Sequence, residues 1–113
     1  MDICAKLIAT GPVTTSREIP LECFPLRLGR ALDADVCVED RWVSRDHCEI
    51  DRVDQALVVR DLNSKHGTYV NGHPVREIAL KPGDLLNIGL SKFLVQYEHE
   101  PASENVRDDA LVS

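Results

Sequence analysis

Trp42-Val43-Ser44-Arg45-Asp46-His47-Cys48-Glu49-Ile50 begins as a polar turn and ends as an alternating strand. Ser44, Arg45 and His47 are crowded into four positions. A junction of this kind holds a hydroxyl and a guanidinium at a loop mouth while the strand anchors them. Upstream, Gly29-Arg30 closes another alternating stretch. Downstream come Ser64-Lys65-His66-Gly67-Thr68 and then Asn71-Gly72. Three loops carrying short polar or basic side chains point to one anion-binding face.

Working outward, helical periodicity is nearly absent, and short alternating runs recur between turn residues, which is the all-β signature. Strands are expected over Cys4–Ala9, Arg17–Glu22, Phe24–Leu28, Asp35–Val38, His47–Ile50 and Ala56–Leu62. More follow over Gly67–Val70, Pro74–Ile78, Asp84–Ile88 and Lys92–Tyr97. Pro20 marks an edge strand. Phe24, Leu26 and Leu28 share one face. Turns are expected at Val53-Asp54-Gln55, at Lys81-Pro82-Gly83-Asp84, and at Asn71-Gly72, a strong two-residue hairpin signal. The fold expected is a two-sheet β-sandwich of about ten or eleven short strands. It fills residues 1–100, and from Pro101 to Ser113 the polar, acidic chain without alternation reads as a disordered tail.

With 113 residues the chain makes one domain with a modest core, and its 43% hydrophobic content suits a globular protein. No apolar run approaches the roughly 20 residues of a membrane span, and Lys6 follows Met1-Asp2-Ile3-Cys4 too closely for a signal segment. Cys4, Cys23, Cys37 and Cys48 show no Cys-x-x-Cys spacing. Cys37 and Cys48 sit in alternating apolar patterns and read as reduced core residues, which points to the cytoplasm. The formal net charge is −6. An acidic chain is a poor general nucleic-acid binder, since that affinity comes mostly from neutralised phosphates. Two Phe, two Tyr and one Trp are too few for a base-stacking platform. Any anion site must therefore be local and geometrically specific.

Phosphate recognition needs charge-assisted donors fixed in place, typically Arg with hydroxyls or backbone amides. Arg30, Ser44 and Arg45 supply two guanidiniums and a hydroxyl, and Gly29 lets the backbone turn or approach closely before Arg30. Taken singly these are bland: a Gly-Arg is usually a strand end, a Ser-Arg a solvated loop, a His a braced core residue. Enzyme readings are weaker still. Ser44 and His47 are three apart at a strand entry, with no third residue to brace a nucleophile–base pair. The His and Cys residues lack zinc-ligand spacing.

In order and spacing, the chain resembles the forkhead-associated (FHA) domain family. The matching residues are Gly29-Arg30, Ser44-Arg45-Asp46-His47, Asp61-Leu62, Ser64 through Gly72, Gly83-Asp84 and Ile88-Gly89. The resemblance covers roughly residues 3–98. It implies a β-sandwich that binds phosphothreonine peptides through loops at one end, without cofactor or enzyme activity. It implies that Arg30 and Ser44 contact the phosphate, with Arg45 a second contact to phosphate or peptide. Gly29 and His47 shape the site, His47 by bracing a loop. Ser64 and Gly67-Thr68 form the far wall, and Asn71-Gly72 a structural hairpin. Two positions depart from the family. His66 replaces the common Asn that bonds the peptide backbone, and Lys65 replaces a small hydroxyl residue. Both are carried as candidate phosphopeptide contacts. The expected partner is a threonine-phosphorylated protein, with no nucleic acid and no membrane; oligomeric state is left open. The alternatives are a phosphate-independent interaction or self-association module on the same fold, and a small β-barrel nucleic-acid binder, which the acidity opposes.

Overall fold

The computed structural model describes residues 4–10 and 17–98; the acidic tail lies outside them. Eleven strands run in the order β1 (Cys4–Ala9), β2 (Arg17–Leu21), β3 (Leu26–Gly29), β4 (Val36–Cys37), β5 (Cys48–Val53) and β6 (Ala56–Asp61). They continue with β7 (Thr68–Val70), β8 (His73–Val75), β9 (Glu77–Leu80), β10 (Leu85–Ile88) and β11 (Ser91–Glu98). One sheet has the order β2-β1-β11-β10-β7-β8 and the other β4-β3-β5-β6-β9. Every pairing is antiparallel except β3 with β4. The expected sandwich is what the chain forms.

The alternating residues build the space between the sheets. Leu26, Leu28, Cys48, Ile50, Leu57 and Val59 come from one sheet, and Leu7, Leu86, Ile88, Phe93 and Val95 from the other; all are buried. The outward positions are polar. On β5, β6 and β9, Glu49, Arg60 and Glu77 lie in one cross-strand row, with Arg60 Nη1 3.1 Å from Glu49 and Nε 3.4 Å from Glu77.

Turn chemistry sets the connections. Asn71 and Gly72 both have positive φ, 52° and 84°, as a two-residue loop closing Val70 onto His73 requires. Pro82 and Gly83 (φ 93°) take the central positions of a turn closed by Asp84 N–H on the Lys81 carbonyl at 3.0 Å.

Three expectations need correction. Pro74–Ile78 is not one strand: β8 pairs with β7 in the first sheet, and β9 pairs with β6 in the second. The chain crosses between sheets at Arg76, whose carbonyl accepts the Asp61 N–H at 2.8 Å. The apolar residues on either side, Val75 and Ile78, are three apart, so the period-2 phase slips by one residue at the crossing. β3 starts at Leu26, and Phe24 packs from outside the strand as a half-buried residue. Cys48 is fully buried, but Cys37 is only half-buried and Cys23 is exposed. These three thiols are free. Burial, with the Asp61 carboxylate adding to it, pushes the Cys48 thiol up to about 12.

Candidate functional site

The ends of β3, β6 and β10 and the starts of β5, β7 and β11 gather at one end of the sandwich. There β3 runs against the loop joining β4 to β5. A Cβ on Gly29 would overlap the Arg45 carbonyl, so only glycine lets the two segments close. Arg30 N–H then donates to the Ser44 carbonyl at 2.9 Å, and Ala31 N–H to the Arg45 carbonyl at 3.2 Å. This backbone pairing places Arg30 beside Ser44. Arg30 Nε donates to the Val43 carbonyl at 3.0 Å, which aims the guanidinium. Its two Nη groups have no partner among the described residues.

His47 holds the loop to its neighbour. The ring is fully buried. Ser44 N–H donates to Nδ1 at 3.0 Å; an amide cannot accept, so the ring is the Nε2–H tautomer. Nε2–H donates to the Gly67 carbonyl at 2.8 Å, clamping the β4–β5 loop to the β6–β7 loop. Ser44 Oγ accepts the Lys65 N–H at 3.0 Å. Its hydroxyl hydrogen is left to point at an acceptor oxygen.

The β6–β7 loop is folded by Asp61. Its Oδ1 accepts from the Ser64 hydroxyl at 2.5 Å and from the Thr68 hydroxyl at 2.7 Å. Its Oδ2 accepts the Ser64 N–H at 3.1 Å, and Ser64 Oγ in turn accepts the Gly67 N–H at 3.0 Å. Burial alone would raise the Asp61 carboxyl, but these donors outweigh it and hold it below the ordinary carboxylate value. Gly67 sits at φ 90°, which lets the loop turn back into β7.

Asp40 is a positioning residue that the sequence reading passed over. It is buried, and it accepts Trp42 N–H at 2.9 Å, Leu90 N–H at 2.7 Å and the Ser91 hydroxyl at 2.9 Å. It ties the β4–β5 loop to the β10–β11 turn. Burial pushes Asp40 up, and the three donors bring it below the ordinary value. Asp followed two residues on by a bonded N–H is an Asx-turn pattern, so the local bond had a signal. The bond to Ser91, 51 residues away, had none.

The cations divide around Arg30. On one side a depression of about 280 Å³ is lined by Arg30, Arg41, Trp42, Val43, Ser44, Lys65 and His66. On the other, Arg30 and Arg45 share a depression with Ala31, Leu32 and Asp33. Trp42 meets the His66 ring edge to face, with centroids 5.2 Å apart and planes at 75°. Arg30, Arg45 and Lys65 have no carboxylate within ion-pair distance among the described residues. Arg27 and Arg60, by contrast, are paired with Asp33 and Asp46 and with Glu49, Asp51 and Glu77.

Of the residues singled out from sequence, Arg30, Ser44, Lys65 and His66 line one depression, and Arg45 lies across Arg30 from them. Gly29, His47, Ser64, Gly67 and Thr68 form the frame beneath. Asn71 is not brought to this end. It lies at the far end of β7, its amide bonding Asp84 Oδ1 and Leu85 N–H, each at 3.0 Å.

The FHA domain family model matches residues 26–89. The chain is 42% identical over 69 residues to the FHA domain-containing protein FhaA of Mycobacterium tuberculosis, covering 61% of this chain and 13% of that one. It is 41% identical over 85 residues to the oxoglutarate dehydrogenase inhibitor of Corynebacterium diphtheriae, covering 75% of this chain and 51% of that one. The chain thus spans about half or less of these two curated relatives. A solved structure from work on phosphothreonine-dependent FHA domain interactions superposes with a TM-score of 0.72 at 34% identity, covering 80% of this chain and 95% of the other.

Proposed function

The chain belongs to the FHA domain family, and we propose that it is a non-catalytic module that binds threonine-phosphorylated protein segments at the Arg30–Ser44 end. One observation carries this most. The Arg30 guanidinium is pinned through Nε while both Nη groups remain open, beside a hydroxyl with its hydrogen unspent. A tetrahedral dianion is the ligand such a donor set suits. Lys65 and Arg45 flank it with further positive charge, on a chain whose net charge is −6.

The Ser44–His47 relation supports binding rather than catalysis. The imidazole bonds the Ser44 backbone, not its hydroxyl, and both ring nitrogens are committed. The His47 imidazole is therefore not free to activate the oxygen. A reduced, cytoplasmic setting accords with the three free thiols. Among the described residues no helix is long and apolar enough to cross a membrane.

Calorimetry with one peptide in phosphothreonine, phosphoserine and unmodified forms tests the reading. Binding should require the phosphate, and Arg30→Ala should abolish it while the melting curve stays close to wild type. The arithmetic is direct: each charge-assisted hydrogen bond contributes roughly 1.5–3 kcal/mol, a bidentate Arg makes two, and micromolar binding totals only about 8 kcal/mol. Equal affinity for the unmodified peptide would favour a phosphate-independent interaction module instead.

A further inference from the structure

Arg41 and Trp42 extend one side of the site. Trp42 is half-exposed, yet it is held from three directions. Its N–H is bonded by Asp40, its ring meets His66, and the Arg41 guanidinium carbon lies 5.8 Å from its ring centroid. A guanidinium resting on an aromatic face is pre-oriented, so less freedom is lost when it meets an anion. Arg41 has no carboxylate within ion-pair distance among the described residues. The depression it lines also holds Arg30 and Lys65 and no acidic side chain.

The opposite flank of Arg30 differs in kind. It carries Asp33 and an exposed Leu32 beside Arg45. Asp33 is paired to Arg27 at 3.0 Å but is still largely open to solvent, and it opposes an incoming anion. The positive potential around Arg30 is therefore lopsided, strongest toward Arg41 and Lys65.

We infer that the domain selects phosphopeptides carrying a second acidic group on one flank of the phosphothreonine, and that Arg41 receives it. The inference rests on the phosphopeptide reading above and names the class of segment that site takes. The acidic group is a side-chain carboxylate or a second phosphate, chemistry the same guanidinium serves. Being exposed, the contact is worth a modest factor and is sensitive to salt.

The test is fluorescence anisotropy with a labelled phosphothreonine peptide in an otherwise alanine background. A single Glu is moved through three positions on each side. Expected is a gain of about two- to fivefold for Glu on one side only, shrinking as salt rises from about 50 mM to about 500 mM. In Arg41→Gln the ratio of affinities for the Glu-containing and all-alanine phosphopeptides, both measured on the variant, should fall to about one. Phosphoserine in place of the favoured Glu separates the two sources: a larger gain assigns a phosphate, an equal or smaller one a carboxylate. Equal gain on both sides, no gain, or a gain that survives Arg41→Gln would overturn the inference. If the all-alanine peptide binds equally well without its phosphate, the underlying phosphopeptide reading fails and this one falls with it.

Discussion

His47 and Ser44 are three residues apart and do different work, so their substitutions should separate. Ser44→Ala removes one hydroxyl that is half free, and phosphopeptide affinity should drop about tenfold with little change in melting temperature. His47→Ala strands the Ser44 N–H and the Gly67 carbonyl in a buried place. Each unsatisfied group costs about 1–3 kcal/mol, so melting should fall by roughly 8 °C or more, and binding should fall with it. A His47→Ala protein that melts like wild type but does not bind would make the imidazole a direct contact. Asp40 and Asp61 carry the pH dependence. Both are held below the ordinary value of 3.8 by their donors. The unfolded chain therefore takes up these protons first as pH falls. The stability they contribute is complete above the unfolded value and is lost as pH drops through the lower folded value. Urea melts of Asp61→Asn should show a deficit at pH 7 that shrinks below about pH 4. A deficit constant across that range would mean the carboxylate's charge plays no part.

At the scale of elements, the site depends on how closely β3 and the β4–β5 loop meet. Gly29→Ala puts a methyl group where the Arg45 carbonyl now lies. The loop must withdraw, and Ser44 and Arg45 move with it. Overpacking of this kind costs about 1–3 kcal/mol, so the variant should melt lower and bind phosphopeptide much more weakly. A Gly29→Ala crystal structure with the Arg30–Ser44 pairing unchanged would refute the steric account. Asn71→Ala is the contrasting case. It removes bonds to Asp84 and Leu85 at the far end of β7, and should lower stability without changing peptide affinity beyond about twofold. Affinity measured at a temperature where both proteins are folded decides it.

For the whole molecule, the sandwich was readable because its period-2 runs are short, numerous and bounded by glycine, proline and asparagine. Cys4–Ala9 and the Asn71-Gly72 hairpin came out as expected. The crossing at Arg76 did not: Val75 and Ile78 are three apart, so the period-2 phase slips at Arg76-Glu77, and a slip of one residue is easily read as a single strand. Within the site, Gly29-Arg30, Ser44 and His47 were recognisable because their order and spacing along the chain match the family pattern. Asp40 was not, since two of its bonds reach Leu90 and Ser91, 50 and 51 residues away, and the Trp42–His66 contact was not, since His66 stands where the sequence departs from the family pattern. Residues 101–113 carry no apolar alternation, and deleting them should leave the melting temperature within about 2 °C; a larger fall in calorimetry would show that they pack on the domain. One consequence of the architecture is mechanical. Arg30 and Ser44 lie on loops that join strands of one sheet, while Lys65 lies on the loop leaving that sheet for the other, and Asp40 hooks that side to the β10–β11 turn. In the binding mode proposed above, a phosphate seated there would act as a rivet across the seam. Pulled apart by force, the ligated domain should yield at a higher load than the empty one, and a tug transmitted through the bound partner would be borne by both sheets together.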